Sequence, residues 1–222
     1  MLLPRIKICC IASIEEAQTA IRYGASALGL VSEMPSGPGV IPEETIAHIA
    51  RRVPPPIATF LLTSRQDAGS IIAQQRRCRT NTLQICDRLE PSAYALLREA
   101  LPGISLVQVI HVRGRESVEE AERVAGFVDA ILLDSGDQSL PVKQLGGTGR
   151  THDWSISRLI RERAGVPIFL AGGLNAGNVR RAVEEVQPFG LDVCSGVRFL
   201  DQLDERKLAA FCEAVGSNMA WR

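Results

Sequence analysis

Apolar positions come in short, nearly continuous runs rich in Val, Ile, Leu and Cys, separated by longer stretches in which apolar residues recur three and four positions apart. The runs predict strands at 5–10, 26–32, 56–63, 82–87, 105–112, 129–134, 167–172 and 191–195. Strands this short and this uniformly apolar suit a parallel sheet covered on both faces. The stretches between them predict helices near 13–24, 42–53, 67–78, 90–101, 117–127, 155–165 and 177–186, with a last one near 204–216. Val179, Ala182, Val183 and Val186 form one stripe at helical spacing. Ser13-Ile-Glu-Glu16 and Ser117-Val-Glu-Glu120 read as capping boxes, in which serine accepts an orphan amide and glutamate reaches back. Gly24 and Gly165 fall where helices should stop.

Eight strand-then-helix units in 222 residues predict an α/β fold, a single closed (β/α)8 TIM barrel occupying 1–222 as one domain. A doubly wound open sheet is the alternative, but no strand-linked GxGxxG supports it. The Pro/Gly-rich stretches 35–39 and 53–56 are short enough to be connections.

Composition narrows the function. Basic and acidic residues balance at 25 each, and no Lys/Arg block marks a nucleic-acid or acidic-lipid surface, so a small ligand is expected. No run approaches the roughly 20 apolar residues that span a bilayer. The first residues, MLLPRIK, contain no charged leader ahead of an apolar segment, and a cytoplasmic protein is expected. The six cysteines lack CxxC spacing, which argues against a disulfide framework and a metal site. Adjacent Cys9 and Cys10, read as strand residues, should face opposite sides of the sheet.

A barrel of this kind carries its chemistry at the C-terminal ends of the strands and holds phosphate in the loops after strands 7 and 8. Those places read Cys9-Cys10, Gln84-Ile-Cys86-Asp87, Leu132-Leu133-Asp134, Ala171-Gly172-Gly173-Leu174 and Cys194-Ser195-Gly196-Val197. Gly172, Gly173, Ser195 and Gly196 suit an anion cradle, because glycine lets backbone N–H groups approach an oxyanion. Taken alone, Cys9 reads as a small core residue, and Asp134 equally well as a carboxylate capping the Ser135-Gly136 turn.

KIC in strand 1, LLDS in strand 6, GGTG followed by DW, LAGGLN in strand 7 and DVCSGV in strand 8 resemble the phosphoribosylanthranilate isomerase family of tryptophan biosynthesis, in order and over the whole chain. The resemblance implies an Amadori rearrangement of an N-(5-phosphoribosyl) aldosamine to a 1-deoxyribulose ketosamine, with neither cofactor nor metal. It implies Cys9 as general base, Asp134 as general acid, and Gly147, Thr148 and Gly149 as a substrate-binding loop. The partner is then a small phosphosugar, with no nucleic acid or membrane, and the assembly a monomer or homodimer. An isomerase of another phosphosugar amine, or a non-catalytic phosphosugar-binding barrel, are the other readings.

Four positions depart from the family pattern. Cys10 stands in place of glycine, Cys86-Asp87 in place of His-Gly, and Arg198 in place of glutamate after SGV. Ser36-Gly37-Pro38-Gly39 lacks the arginine that the resemblance implies for the anthranilate carboxylate. Arg113, Arg150 and Arg198 are the arginines that other loops offer for that role. Strand parity adds an expectation of its own: Lys7 shares a side with Cys9, and Asp192 with Cys194. Lys7 and Asp192 should therefore lie within about 8 Å inside the barrel, close enough for a direct or water-bridged contact, with Gln84 beside them. His48 is expected on a solvated helix face, His152 in a loop near the pocket, and His111 at a strand end, either entering the pocket or as a satisfied structural residue.

Overall fold

The computed structural model describes residues 3–216. Strands and helices alternate as β1 (Arg5–Ile8), α1 (Ile14–Arg22), β2 (Ala27–Val31), α2 (Glu43–Ala50), β3 (Ala58–Thr63), α3 (Ala68–Cys78), β4 (Thr82–Ile85) and α4 (Pro91–Ala100). They continue as β5 (Ser105–His111), α5 (Glu116–Ala125), β6 (Ala130–Asp134), α6 (Trp154–Arg163), β7 (Ile168–Leu170), α7 (Val179–Val186) and β8 (Gly190–Val193). The strands pair in sequence order and β8 returns to β1, closing the barrel. All eight pairings are parallel, and the closing one sets Lys7 opposite Asp192.

The uniform apolarity of the strands is used on both sides. Side chains such as Ile6, Ile8, Leu28, Leu30, Leu61 and Leu83 pack outward against the helices, with Ile46, Ile49 and Ile71 among their partners. Phe60, Val107, Val109, Leu132 and Phe169 fill the barrel interior. The Phe60 and Phe169 rings meet edge to face at 5.8 Å. Each such side chain buried contributes roughly 1.5–3 kcal/mol, which favours the two-sided arrangement over an open sheet edge.

Local differences from the sequence expectation matter for the site. β1, β4, β7 and β8 end at Ile8, Ile85, Leu170 and Val193, so Cys9, Cys10, Cys86, Asp87, Gly172, Cys194 and Ser195 leave the ladders and form the barrel mouth. Beyond β8 the chain makes a 3₁₀ turn (Ser195–Val197) and an antiparallel hairpin, β9 (Arg198–Phe199) and β10 (Gln202–Leu203), before α8 (Glu205–Val215). Periodicity did not anticipate these. The hairpin turns through Leu200 and Asp201, at φ +47° and +61°, as a tight two-residue loop requires.

One capping box forms and the other does not. Ser13 Oγ accepts the Glu16 amide at 3.2 Å. The carboxylate of Glu16 reaches back one residue further than expected, to the amide of Ala12 at 2.9 Å. The second expectation is corrected: α5 begins at Glu116 with Arg115 as its N-cap, so Ser117 lies inside the first turn. Its buried hydroxyl instead accepts the Arg113 amide and donates to the His111 carbonyl, tying helix to strand. Gly24 and Gly165 do close helices, at φ +89° and +69°. No described helix is long and apolar enough to cross a membrane.

Candidate active site

The cavity at the mouth of the barrel brings together residues distant in sequence: Cys9, Gln84, Asp134, Gly147, Thr148, Gly149, Gly172, Gly173 and Ser195 all line it. Gly196 stands just behind Ser195, where a Cβ would run into the Leu174 carbonyl, so the turn tolerates only glycine.

Cys9 follows the last residue of β1, and its amide still bonds to the Val193 carbonyl, which holds the thiol at the strand end. Beneath it, Lys7 Nζ donates to Asp192 Oδ1 at 2.8 Å, with the lysine fully buried. The expected neighbourhood of these two residues is thus present. Gln84 is not part of the pair: its Nε2 lies 3.8 Å from Cys86 Sγ, and its buried Oε1 meets no partner among the described residues. Gly29 of β2 creates the room, since a Cβ there would lie 2.8 Å from Cys9 Sγ and 3.0 Å from Lys7 Nζ.

Cys10 corrects an expectation. Both adjacent thiols line the cavity instead of facing opposite ways. Strand geometry stops at Ile8, and Cys10 turns into the left-handed region at φ +63°, so strand alternation no longer applies. The Cys194 thiol donates to Cys10 Sγ at 2.8 Å. The Cys10 thiol in turn donates to the Pro38 carbonyl at 3.6 Å. The adjacent Cys10 side chain and the nearby Lys7 ammonium hold Cys9 below its ordinary range against the opposing effect of burial. The neighbouring Cys194 and Cys9 sulfurs and burial push the Cys10 thiol up, so it stays protonated. All six cysteines are free thiols.

Asp134 ends β6, opposite His111 of β5. Burial pushes its carboxyl above the usual range, with His111 and the Ser135 amide, 2.7 Å from Oδ1, pulling the other way. His111 is buried, and its Nε2 lies 3.1 Å from the Cys86 carbonyl, a structural tether at the strand end. The long loop after β6 folds over the mouth. Ser135 Oγ and Thr148 Oγ1 meet at 2.6 Å, and Ser36 donates to the Lys143 carbonyl at 2.7 Å, linking this loop to the one after β2.

On the far wall, Gly172 and Gly173 adopt φ +81° and +61°. A side chain at Gly173 would press within 2.7–2.8 Å of the backbone of Arg150 and Thr151. Among the described residues, the amides of Gly172, Gly173, Ser195 and Gly196 meet no protein acceptor. Free amides at two successive strand ends are what an oxyanion needs.

Cations are elsewhere. Arg113 pairs with Asp137, Arg150 Nη2 donates to Gln144, and Arg198 turns toward Glu16, so none of the three reaches the cavity wall. His152 is held by Ser157 at 2.7 Å, beside Gly172, and burial pushes it down to about 4, so it is neutral at neutral pH. His48 is exposed on α2, next to Arg52. No group of three His, Cys, Asp or Glu among the described residues could hold a metal ion.

Residues 6–214 match the family model for N-(5'phosphoribosyl)anthranilate (PRA) isomerase. The chain belongs to that family. A phosphoribosylanthranilate isomerase of Methanocella arvoryzae is 33% identical over 193 residues, covering 87% of this chain and 88% of the relative. The crystal structure of the Thermotoga maritima phosphoribosylanthranilate isomerase superposes with a TM-score of 0.79 at 29% identity, covering 96% of this chain and 98% of that one. A further family structure, in complex with reduced 1-(o-carboxyphenylamino)-1-deoxyribulose 5-phosphate, superposes with a TM-score of 0.76 at 28% identity, covering 96% of this chain and 98% of that one. Within the isomerase barrel, three features of the site escaped sequence reasoning. They are the gap at Gly29, the thiol contact between Cys194 and Cys10, and the orphaned Gln84 acceptor. Only the thiol contact left a local trace, as a cysteine at each of two strand ends.

Proposed function

We propose that this protein isomerises N-(5-phosphoribosyl)anthranilate to the 1-deoxyribulose ketosamine by acid–base catalysis, as a cytoplasmic enzyme of tryptophan biosynthesis. The observation that carries the reading is one cavity in which a thiol with a lowered pKa and a carboxyl with a raised one flank a wall of free amides. The dianion of the substrate binds the amides of Gly172, Gly173, Ser195 and Gly196, with the Gly147–Thr148–Gly149 loop over it. Neutral Asp134 gives its proton to the furanose ring oxygen. The C1–O bond breaks as the nitrogen lone pair forms an iminium, leaving Asp134 as carboxylate. The Cys9 thiolate then removes the C2 proton, and the electron pair moves to the nitrogen to give a neutral enolamine. Loss of the enol proton at oxygen and protonation at C1 yield the ketone. The rearrangement is isomerisation within one carbon skeleton, so no external oxidant or reductant is required.

Steady-state turnover of phosphoribosylanthranilate, followed as loss of its fluorescence, tests the reading. Absence of turnover at high enzyme concentration would overturn it.

A second reading concerns the amine half. The side chains lining the cavity at the β2 and β3 ends are Val31, Met34, Ser36, Pro38 and Leu62, and no Lys or Arg joins them. A carboxylate there lacks the bidentate partner that a guanidinium would give. The supported expectation is a relaxed aglycone site, which turns over N-(5-phosphoribosyl)aniline with a KM within about threefold of the anthranilate substrate, below the roughly tenfold or more that the 1.5–3 kcal/mol of a hydrogen bond to a charged group would give. A much higher KM for the aniline compound would sink this second reading alone.

A further inference from the structure

Arg198, where the family resemblance leads one to expect glutamate, is 7% exposed and joins three segments of the barrel mouth. Its Nη2 donates to the carbonyls of Cys9, at 3.3 Å, and Cys10, and to Glu16 Oε2 at 3.0 Å. Its Nη1 donates to Glu16 Oε1 at 3.1 Å and to the Asp201 carbonyl at 2.8 Å. Glu16 completes the hub by accepting the amides of Ala12 and Leu203, at 2.9 and 2.8 Å. The loop bearing Cys9 is thereby fastened to the hairpin that follows the Ser195–Gly196 turn.

Two details set this arrangement apart from an ordinary ion pair. An exposed pair needs only its two charges, whereas here a buried guanidinium spends donors on two consecutive carbonyls at a strand end. Those carbonyls flank Cys10, a non-glycine residue held at φ +63°, a conformation that L-residues avoid. Arg198 Nε is buried with no partner among the described residues, so the guanidinium accepts an unsatisfied donor to keep this orientation. A fork of parallel N–H groups can grip a carboxylate and carbonyls at once, which a lysine head cannot.

We propose that Arg198 is a positioning residue for the reaction: by gripping the Cys9 and Cys10 carbonyls it fixes the left-handed turn at Cys10 and with it the place of the Cys9 thiol beside the Lys7 ammonium, and it ties that turn to the anion-binding loop. The groups facing Cys9 are Lys7 on its own strand, Asp192 on β8, Cys86 beyond β4 and the thiol of Cys10. Lys7 and Asp192 sit within the strand ladder, whereas Cys9 and Cys10 lie at and beyond its end, so the place of the thiol relative to Lys7 depends on the Arg198 grip. The proposal takes the role of Cys9 from the reading above, but its first readout needs no substrate.

The experiment compares wild type with Arg198→Met and Arg198→Lys. Alkylation of Cys9 by iodoacetamide is followed across pH by peptide mass spectrometry, alongside Tm, kcat and KM. The methionine variant should raise the midpoint of Cys9 alkylation by about 1 pH unit, and lower kcat about 10- to 100-fold with KM changed less than about threefold. The lysine variant should lie between the two. A folded methionine variant that loses only Tm, with midpoint and kcat unchanged, would overturn the proposal in favour of a purely structural clamp. If the methionine variant does not fold, the lysine variant decides by the same midpoint, since it keeps the charge opposite Glu16 and loses the fork. If wild type turns over no substrate, the Cys9 midpoint still separates this proposal from the functional reading.

Discussion

Lys7 Nζ and Asp192 Oδ1, 185 residues apart in the chain, form a 2.8 Å ion pair beneath the Cys9 thiol. Removing either charge alone leaves the other buried without a partner, which typically costs about 3–5 kcal/mol, whereas replacing both with apolar residues of similar volume is often neutral. Lys7→Met should therefore lower the unfolding free energy by about that amount, and Lys7→Met with Asp192→Leu should recover most of it. Urea unfolding of the two variants checks this. If the single and double variants lose the same stability, the pair is not coupled.

The acid and base should each be indispensable and should leave separate marks on the pH profile. Cys9→Ala and Asp134→Asn are each expected to lower kcat by about 10² to 10⁴-fold. Cys9 works as thiolate, so activity rises with pH as it ionises, at a midpoint below the 9.0 of a free thiol. Asp134 works as the protonated acid, so activity falls as pH rises through its midpoint, which burial sets above the ordinary 3.8. The residual activity of Asp134→Asn should accordingly lose the descending limb, because an amide cannot ionise. Persistence of that limb would remove Asp134 from the acid role.

Gly29 is expected to govern the position of the thiol from a neighbouring strand. Its backbone is ordinary, so an added methyl acts only through space, 2.8 Å from Cys9 Sγ and 3.0 Å from Lys7 Nζ. Gly29→Ala should destabilise by about 1–3 kcal/mol through overpacking and should lower kcat disproportionately to KM. Thermal unfolding and steady-state kinetics give the two numbers, and an unchanged kcat would mean that Cys9 moves freely out of the way.

Gln84 offers a contrast between stability and binding. Its Oε1 is buried in the cavity wall with no partner among the described residues, so it is available to a substrate hydroxyl. Gln84→Leu should leave the free protein no less stable, because an unsatisfied acceptor is removed. KM should rise about 2- to 12-fold, the equivalent of the 0.5–1.5 kcal/mol of one hydrogen bond. Lower stability with an unaltered KM would assign Gln84 to the structure alone.

Much of this molecule was legible before any coordinates. Alternating apolar runs and helical stripes gave the closed barrel, because both patterns are local and the barrel is how short two-sided parallel strands bury themselves. Parity along β1 and β8 was enough to foresee Lys7 beside Asp192, since register between neighbouring strands preserves which way side chains point. The cavity-lining positions of Cys9, Asp134 and Ser195 followed from their location at strand ends.

What the tertiary structure alone decided lies where strands stop. Alternation assigned Cys10 to the outer side, but the chain leaves the ladder after Ile8, and a left-handed turn held by Arg198 carries the thiol back into the cavity. Spacing made Ser117 a helix cap, but α5 starts earlier and the hydroxyl serves β5 instead. In each case the residue is governed by partners that the chain brings from tens to nearly two hundred residues away, or from an adjacent element whose exact end the local pattern does not encode. Periodicity records which face of an element is buried; where that element ends, and which donor meets its last carbonyl, is settled only when the strands close on one another.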